Sequence, residues 1–310
     1  MGSYVMHRVL QMLIAVFGIS VIVFIITNMI GDPVNVLLPP ETPYEQREIY
    51  REQMGFNRPL IVQYADFFSS AVRGDFGKSF RAERPALSIV MERMPATLLL
   101  TVSGTIVATI IAIPMGILSA YKRHTIWDNI STLFVVAGQA MPIFWLGLML
   151  IIIFGVNLKW LPPSGYGEMG IDRLKHLILP TIVLGVFLAP VTERLVRSGM
   201  LDALTQDYVR TARAKGLNER VVLSRHAFRN TMIPVITVLG LQFGQLLGGA
   251  VITETVFAWP GVGLLAIDSI RNADFPVTQA AVVTLAVIIS LVNLLVDLVV
   301  GMIDPRIRPS

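Results

Sequence analysis

Long hydrophobic segments without charged residues alternate with shorter polar segments along this chain. Five of these segments could cross about 30 Å of hydrocarbon, which takes roughly 20 helical residues. They are Val9–Ile30, Ala96–Ala120, Ile130–Val156, Thr231–Thr253 and Pro276–Val296. A shorter sixth segment, Leu177–Thr192, is bounded by His176 and Glu193. The pattern predicts an all-α membrane protein with six transmembrane helices.

Composition supports this class, because 54% of the 310 residues are hydrophobic and only 15% are charged. A soluble domain of this length could not bury so much apolar surface. The absence of cysteine excludes disulfides, thiolate metal sites and cysteine nucleophiles. The first segment is expected to be a retained helix, since it exceeds a signal-peptide core and no A-x-A-like site follows. We expect kinks at the prolines in or beside the segments, which are Pro114, Pro142, Pro180 and Pro234.

The charges between the segments predict the orientation. With the N-terminus inside, the cytoplasmic segments hold 13 basic and 6 acidic residues, and eight of the basic ones lie between Arg194 and Arg229. Such an excess marks the cytoplasmic side. The sequence therefore predicts both termini in the cytoplasm, with a first helix in residues 1–30, an extracytoplasmic loop domain in 31–95 and a core in 96–306. The core contains a cytoplasmic loop in 198–231, and residues 307–310 form a tail.

The outer loop is expected to contain two helices. Glu45–Met54 is highly charged and predicts a surface helix, while Leu60–Val72 has the spacing of an amphipathic helix. The second helix has two interpretations. It could lie on the membrane or on a partner, or it could pack over the ends of the spans.

Motifs for enzymatic chemistry are weak in this sequence. Gly77-Lys78-Ser79 resembles the end of a phosphate-binding loop, but Val72 occupies the position of the required glycine. The four histidines lack metal-ligand spacing, and no protease or hydrolase motif is present. We therefore expect neither a catalytic nor a metal site, and an intramembrane enzyme has little support.

Two features inside the spans are candidates for helix packing or for lining a passage. Gly240, Gly244 and Gly248 repeat at four-residue spacing, which clears one helix face for close approach of another helix. That helix could belong to this chain or to a second subunit. Asn293 and Asp297 lie one turn apart on the last span, and Asp297 is either a functional carboxylate or a structural hydrogen-bond partner near the interface.

The polar insert before the fifth span is the strongest functional lead. Leu201, Leu204, Tyr208 and Ala212 recur at helical spacing and predict one apolar stripe on a short helix. Gly216 is placed to end that helix, and Asn218 to cap a second one with Glu219 in its first turn. The second helix would carry Val221, Val222, Arg225 and Phe228–Arg229 before the fifth span.

This basic hairpin has two interpretations. It could be held by anionic lipid headgroups, or it could dock on a cytoplasmic protein. Lipid contact alone would not require the glycine turn and the cap, so protein docking is favoured.

The insert resembles the cytoplasmic "EAA" loop of ATP-binding-cassette (ABC) importer permeases. The aligned residues are Arg210-Thr211-Ala212-Arg213-Ala214-Lys215-Gly216, in which the family's Glu is absent and Pro234 lies farther downstream. Both departures resemble the peptide-importer branch. Further similar segments run along the chain: Gly31-Asp32-Pro33, Arg58-Pro59-Leu60, Gly74-Asp75-Phe76-Gly77, Trp160-Leu161-Pro162-Pro163, Trp259-Pro260-Gly261 and Asp304-Pro305-Arg306. The chain most resembles the B-type permease subunit of dipeptide and oligopeptide importers, a type shared by nickel and glutathione systems.

The resemblance implies a type I importer fold in a bacterial or archaeal cytoplasmic membrane. It implies a paralogous second permease, two ATPase subunits that hold ATP and Mg²⁺, an extracytoplasmic solute-binding protein, the lipid bilayer, and no nucleic acid partner or cofactor on this chain. The implied ATPase-coupling residues are Leu204, Asp207, Tyr208, Arg210, Thr211, Ala212, Arg213, Ala214, Lys215, Gly216, Leu217, Arg225 and His226. The imported solute would be a di- or oligopeptide, with nickel chelates, glutathione or another small solute as alternatives. A self-sufficient secondary transporter is a further alternative, but it would be expected to carry ionisable residues near mid-span, whereas Asp297 lies at the end of the last span, directly after Val296.

Overall fold

The computed structural model of the chain describes residues 2–30, 34, 38–39, 41–53 and 55–303. Within these ranges the regular structure is helical, apart from one isolated bridge between Lys78 and Pro85. The motifs Gly31-Asp32-Pro33 and Asp304-Pro305-Arg306, and the tail 307–310, lie outside the described residues.

The helices alternate between long apolar segments and short connecting ones. They are α1 (Gly2–Ile30), α2 (Tyr44–Gln53), α3 (Leu60–Val72), α4 (Ala86–Tyr121), α5 (Ile126–Ala140), α6 (Ile143–Leu150), α7 (Ile171–Leu204), α8 (Asp207–Ala214), α9 (Glu219–Val221), α10 (Arg229–Val256), α11 (Val262–Arg271) and α12 (Phe275–Ile303). π-helical turns extend α6 over Ile151–Asn157 and join α9 to α10 over Val222–Phe228. In the described chain five helices could span a membrane, and six spans result if α5 and α6 form one bent span. The all-α, six-span prediction is confirmed.

The third span is broken, whereas the sequence predicted one helix over Ile130–Val156. α5 and α6 meet at an angle of 104°. Met141 and Pro142 both have extended backbone conformations at this break. Proline lacks the N–H for a helical hydrogen bond and disfavours helical geometry at the residue before it. The kink expected at Pro142 is therefore a sharp bend.

The fourth span is longer than predicted. α7 contains 34 residues. In its apolar stretch 56% of the residues are buried, against 17% in the apolar stretches of α1 and α12. Close packing surrounds it, since an added Cβ at Gly116 on α4 would lie 2.7 Å from the Cβ of Val196. An added Cβ at Gly138 on α5 would lie 2.9 Å from Cγ of Pro190. α7 is thus the central helix of the unit Leu98–Trp259, and its charged ends were mistaken for loop.

A second compact unit contains Met6–Thr97 and Pro260–Leu291. Its helices α2 and α3 match the two helices predicted in the outer loop. Aromatic side chains of α3 pack on α1, with Tyr64 and Phe68 against Phe17 at 6.1 and 5.7 Å between ring centroids. This face of α3 thus packs against the middle of α1 and not over the end of a span, while Leu60 and Ile61 are exposed.

The core of this second unit lies where the start of α4 meets α11 and the start of α12. Val90, Val262 and Val277 are buried there together. The N–H of Val262 donates to Oγ1 of Thr97 at 2.8 Å. The first turns of α4, which the sequence assigned to the outer loop, are part of this core.

Candidate functional site

The polar insert lies at the end of α7, in the unit Leu98–Trp259. α7 ends at Leu204, and α8 begins at Asp207 after an extended Gln206. The hydroxyl of Thr205 donates to the carbonyl of Asp202 at 2.8 Å, which secures this turn. Leu201 and Leu204 therefore belong to the long spanning helix and not to the short helix predicted around Tyr208.

Because a new helix begins at Asp207, the buried face of α8 differs from the predicted one. Val209 and Ala212 on α8 are buried against Val222 and Leu204. Tyr208, which the sequence placed on the stripe, is 39% exposed. The predicted stripe was wrong at Tyr208 and right at Ala212, because the two-residue turn breaks the helical spacing that linked Leu204 to Tyr208.

The end of α8 has the geometry predicted for Gly216. Its φ is +74°, a left-handed conformation that glycine adopts without a Cβ penalty. Its N–H donates to the carbonyl of Arg213 at 2.9 Å, and the N–H of Leu217 donates to that of Ala212 at 3.3 Å. These two bonds form a Schellman motif, which satisfies carbonyls at the helix end.

The next helix begins with the predicted cap. Oδ1 of Asn218 accepts from the N–H of Arg220 at 3.0 Å. Sequence reasoning missed the ion pair across the corner, in which Nη2 of Arg213 donates to Oε1 of Glu219 at 2.7 Å. The pair joins α8 to α9 through these atoms, and the hydrogen bond raises the pKa of Arg213. The available signal in the sequence was a basic and an acidic residue, Arg213 and Glu219, on either side of the glycine turn.

The second helix is not a separate element. α9 continues through the π-helical turns into α10, so the insert has one free helix and one arm that is the start of the fifth span. Arg225 is exposed on the π-helical turns and His226 is half-buried. The predicted short second helix is corrected to an extension of the span.

The corner is anchored by an apolar cluster beneath it. Met200 and Ala203 on α7 are buried with Ala120 on α4, Ala227 on the π-helical turns and Val235 on α10. The other face of the corner presents polar and charged groups. The side chains of Asp207 and Arg210 are 96% and 74% exposed, and Lys215 is also exposed. The arrangement suits docking of a partner on a rigid base.

A partly buried ion pair beside this base was not predicted. Asp128 at the start of α5 accepts from Nε and Nη2 of Arg197 on α7 at 3.0 and 3.1 Å. The same carboxylate accepts from the hydroxyl of Ser119 at 2.7 Å and from the N–H of His124 at 3.0 Å. We call these four residues the α5–α7 clasp. The signal was a pair of opposite charges at the ends of two predicted spans, on the side that the charge distribution predicts to be cytoplasmic.

A second polar contact joins the same two helices. The hydroxyl of Ser131 on α5 donates to Oε1 of Glu193 on α7 at 2.5 Å, and Glu193 is buried. Because the observed helices are longer than the predicted spans, Asp128, Glu193 and Arg197 all lie within spanning helices. Asp297 is therefore not alone as a charge within a span.

The glycine face of the fifth span packs within this chain. An added Cβ at Gly240 or Gly244 would lie 2.5 Å from Val296 or from Oδ1 of Asn293 on α12. Gly248 is exposed. Asp297, one turn after Asn293, is half-buried and has a partner. Gly240 and Gly244 thus lie in close contact with α12, and no three potential metal ligands lie together among the described residues.

Comparison with known proteins identifies the family. Residues 112–309 match the family described as "Binding-protein-dependent transport system inner membrane component". Residues 1–101 match the corresponding N-terminal family. The chain is 41% identical over 309 residues to "Glutathione transport system permease protein GsiC" of Escherichia coli strain K12, covering 99% of both chains. The protein of the same name from Shigella flexneri serotype 5b is also 41% identical over the same length.

Solved structures share the fold at low sequence identity. The MetNI methionine ABC transporter in inward-facing conformations matches with a TM-score of 0.58 and 17% identity, covering 70% of this chain and 96% of that one. An amino acid ABC transporter solved with histidines matches with a TM-score of 0.51 and 13% identity, covering 71% and 94%. Together, the family matches, the full-length relatives and the apolar helices place the chain among the multi-pass inner-membrane permeases of binding-protein-dependent ABC importers, in the family that includes peptide and glutathione systems.

Proposed function

We propose that the corner formed by α8, Gly216 and α9 is the surface on which an ATPase subunit docks. The observation that carries this proposal is a rigid, exposed, charged corner built directly onto two spanning helices. The ATPase-coupling residues that we propose are Leu204, Asp207, Tyr208, Arg210, Thr211, Ala212, Arg213, Ala214, Lys215, Gly216, Leu217, Arg225 and His226, among which the buried Ala212 supports the surface from beneath.

The corner is suited to carry force in both directions. One arm is attached to α7 by a two-residue turn, and the other runs without a break into α10. Movement of a docked ATPase would therefore tilt two spans together. Nucleotide can drive such a change only if the contacts differ between the inward-facing and outward-facing arrangements.

The complete transporter that we propose contains a paralogous second permease, two ATPase subunits and a solute-binding protein on the outside. ATP and Mg²⁺ would be held by the ATPases and not by this chain. Both termini and the loop 198–231 would face the cytoplasm of a bacterial or archaeal cell. The loop domain 31–95 would lie outside, the core 96–306 would form half of the passage, and 307–310 would be a cytoplasmic tail.

The proposed solute is a di- or oligopeptide. Glutathione, itself a tripeptide, is the second candidate, because the relatives at 41% identity are named as glutathione permeases. Nickel chelates or another small solute are alternatives. No group of three or more potential metal ligands occurs among the described residues, so the structure offers no site that would single out nickel.

Docking is tested by charge reversal on the exposed corner. Lys215 has no carboxylate within ion-pair distance in the described part of the chain, so Lys215→Glu should leave the fold intact. We expect less ATPase subunit to co-purify with the tagged variant, with the deficit growing at higher ionic strength. Arg123→Glu is the matched control, because Arg123 is an exposed cation in the turn between α4 and α5. Equal recovery of the ATPase from both variants and from the parent would disprove the docking surface.

A further inference from the structure

The unit containing Met6–Thr97 and Pro260–Leu291 holds a cavity that has no part in the proposed docking of an ATPase subunit. Its volume is about 360 Å³. Pockets for small molecules span roughly 300–1,000 Å³ and combine apolar walls with a few placed polar groups. Phenylalanines form the apolar part of the wall: Phe24, Phe56, Phe67, Phe80 and Phe275.

Three side-chain amides line the cavity, and the nitrogen of each is held by at least one hydrogen bond. Nε2 of Gln63 donates to the carbonyls of Phe56 and Arg58 at 2.9 and 2.8 Å. Nδ2 of Asn28 donates to a backbone carbonyl at 2.9 Å. Because carbonyls only accept, the orientation of both amides is fixed by these bonds.

Gln279 follows the same pattern. Its Nε2 lies 2.8 Å from Oγ1 of Thr27, whose own proton goes to a backbone carbonyl of α1. In the described part of the chain, the amide oxygens of Asn28, Gln63 and Gln279 have no recorded donor. None of the three oxygens is among the fully buried side-chain atoms that lack a hydrogen-bond partner, so each is accessible to a ligand. The cavity therefore presents three unused acceptors.

Two cations lie in the lining, and one of them, Arg58, is paired at 3.1 Å with Asp66, which also lines the cavity. The exposed Lys78 has no carboxylate within ion-pair distance among the described residues. Its neighbours are firmly held, since Oδ1 of Asp75 accepts from the N–H of Gly77 at 2.9 Å and the hydroxyl of Ser79 donates to Asp274 at 2.5 Å. The Gly77-Lys78-Ser79 motif thus positions a lysine at the cavity and is not part of a nucleotide loop.

We propose that this cavity binds a small zwitterionic solute of the amino acid or short-peptide type. Its ammonium group donates to the amide oxygens of Asn28, Gln63 and Gln279, and its carboxylate pairs with Lys78. A simple anion would leave the acceptors unpaired, and a simple cation would be repelled by Lys78. The proposal deepens the proposed import of peptide-like solutes by naming a place for them on this chain.

The test measures equilibrium binding to the assembled transporter in detergent, without nucleotide and without the solute-binding protein. The probes are the dipeptide Ala-Phe, its N-acetyl form and its C-terminal amide. We expect saturable binding of Ala-Phe and about tenfold weaker binding of each blocked form, because each loses one charged hydrogen-bonding group. Since neither ATP nor uptake is involved, the result is independent of the docking proposal.

Variants assign the binding to this cavity. Lys78→Gln should remove the preference for the free acid over the amide, and Gln279→Leu should weaken Ala-Phe while leaving that preference. Lys175→Gln, an exposed lysine outside the lining, is the matched control. The proposal fails if Ala-Phe does not bind saturably, or if Lys78→Gln keeps the acid preference.

An ethanolamine phospholipid headgroup also pairs an ammonium with an acid group, and it defines the remaining outcome. Native mass spectrometry of the complex should show Ala-Phe bound after delipidation. Retention of such a lipid that Ala-Phe cannot displace would overturn the assignment to a solute.

Discussion

At the scale of single residues, Gly216 sets the shape of the corner formed by α8, Gly216 and α9. Its left-handed φ directs the chain from α8 into α9, and the two Schellman bonds close the end of α8. No atom lies within 4 Å of the position a Cβ would take, so backbone conformation and not space selects glycine here.

Replacing Gly216 tests that geometry. Gly216→Pro requires φ near about −65° and removes the N–H that bonds to Arg213, so the corner must change shape. We expect the assembled transporter to keep basal ATPase activity and to lose most solute uptake. Gly216→Asn is the matched variant, because asparagine tolerates the left-handed region, and it should retain most uptake. Normal uptake by the proline variant at normal expression would contradict a role for this turn in coupling.

Arg213 and Lys215 are expected to act differently although both are exposed cations of one loop. Arg213 is bonded to Glu219, whereas Lys215 is unpaired within the described chain. Arg213→Glu should impair uptake by opening the corner, and adding Glu219→Arg should restore part of it. Lys215→Glu should not respond to the second change. Uptake measurements on the four variants check this, and identical behaviour of both lysine and arginine variants would refute the distinction.

At the scale of elements, the α5–α7 clasp holds the bent third span against the central helix. Its carboxylate accepts four hydrogen bonds, and the side chain of Asp128 is 9% exposed. Removing one partner of a buried pair leaves the other charge without compensation.

We therefore expect Asp128→Ala to destabilise the detergent-solubilised transporter by about 3 kcal/mol, the lower end for buried pairs because Arg197 is partly exposed. Thermal or denaturant unfolding measures the difference. Asp207→Ala is the control, since Asp207 is almost fully exposed and its pair with Arg210 is worth well under about 1 kcal/mol. Equal stability of the two variants would show that the clasp contributes nothing.

The sequence predicted those elements whose signal is local. The bounds of α3 and the cap at Asn218 follow from neighbouring residues, and the apolar runs located each span. The C-terminal end of α7 was missed because its charged residue Arg197 is paired with Asp128, which is distant in the sequence. The stripe through Tyr208 failed because helical spacing cannot register the turn at Thr205 and Gln206.

At the scale of the whole molecule, family membership decides between the alternatives for transport. The chain is a permease subunit and not an enzyme, and ATP hydrolysis in such importers belongs to separate subunits. The proposal of a self-sufficient secondary transporter is therefore set aside. Which face of the membrane each loop occupies still follows from the charge distribution alone.

The absence of cysteine makes that orientation directly measurable. Glu45→Cys lies on α2 of the outer loop, and Arg123→Cys lies in the turn between α4 and α5. We expect a membrane-impermeant maleimide to label Glu45→Cys in intact cells, and Arg123→Cys only after permeabilisation. The parent chain is the unlabelled control, and the reverse pattern would invert the topology.

The π-helical turns between α9 and α10 have a consequence for how the fifth span can move. A π-helical turn accommodates one residue more than an α-helix of the same rise, without rotating the helix on either side. The segment Val222–Phe228 therefore holds an additional residue in the chain between the corner and the glycine face that packs on α12. If that extra residue shifted along the helix, side chains would rotate by about 100° where it passed, while the backbone stayed hydrogen-bonded. The span could then change its register against the neighbouring helices by rotating locally about its own axis, without bending.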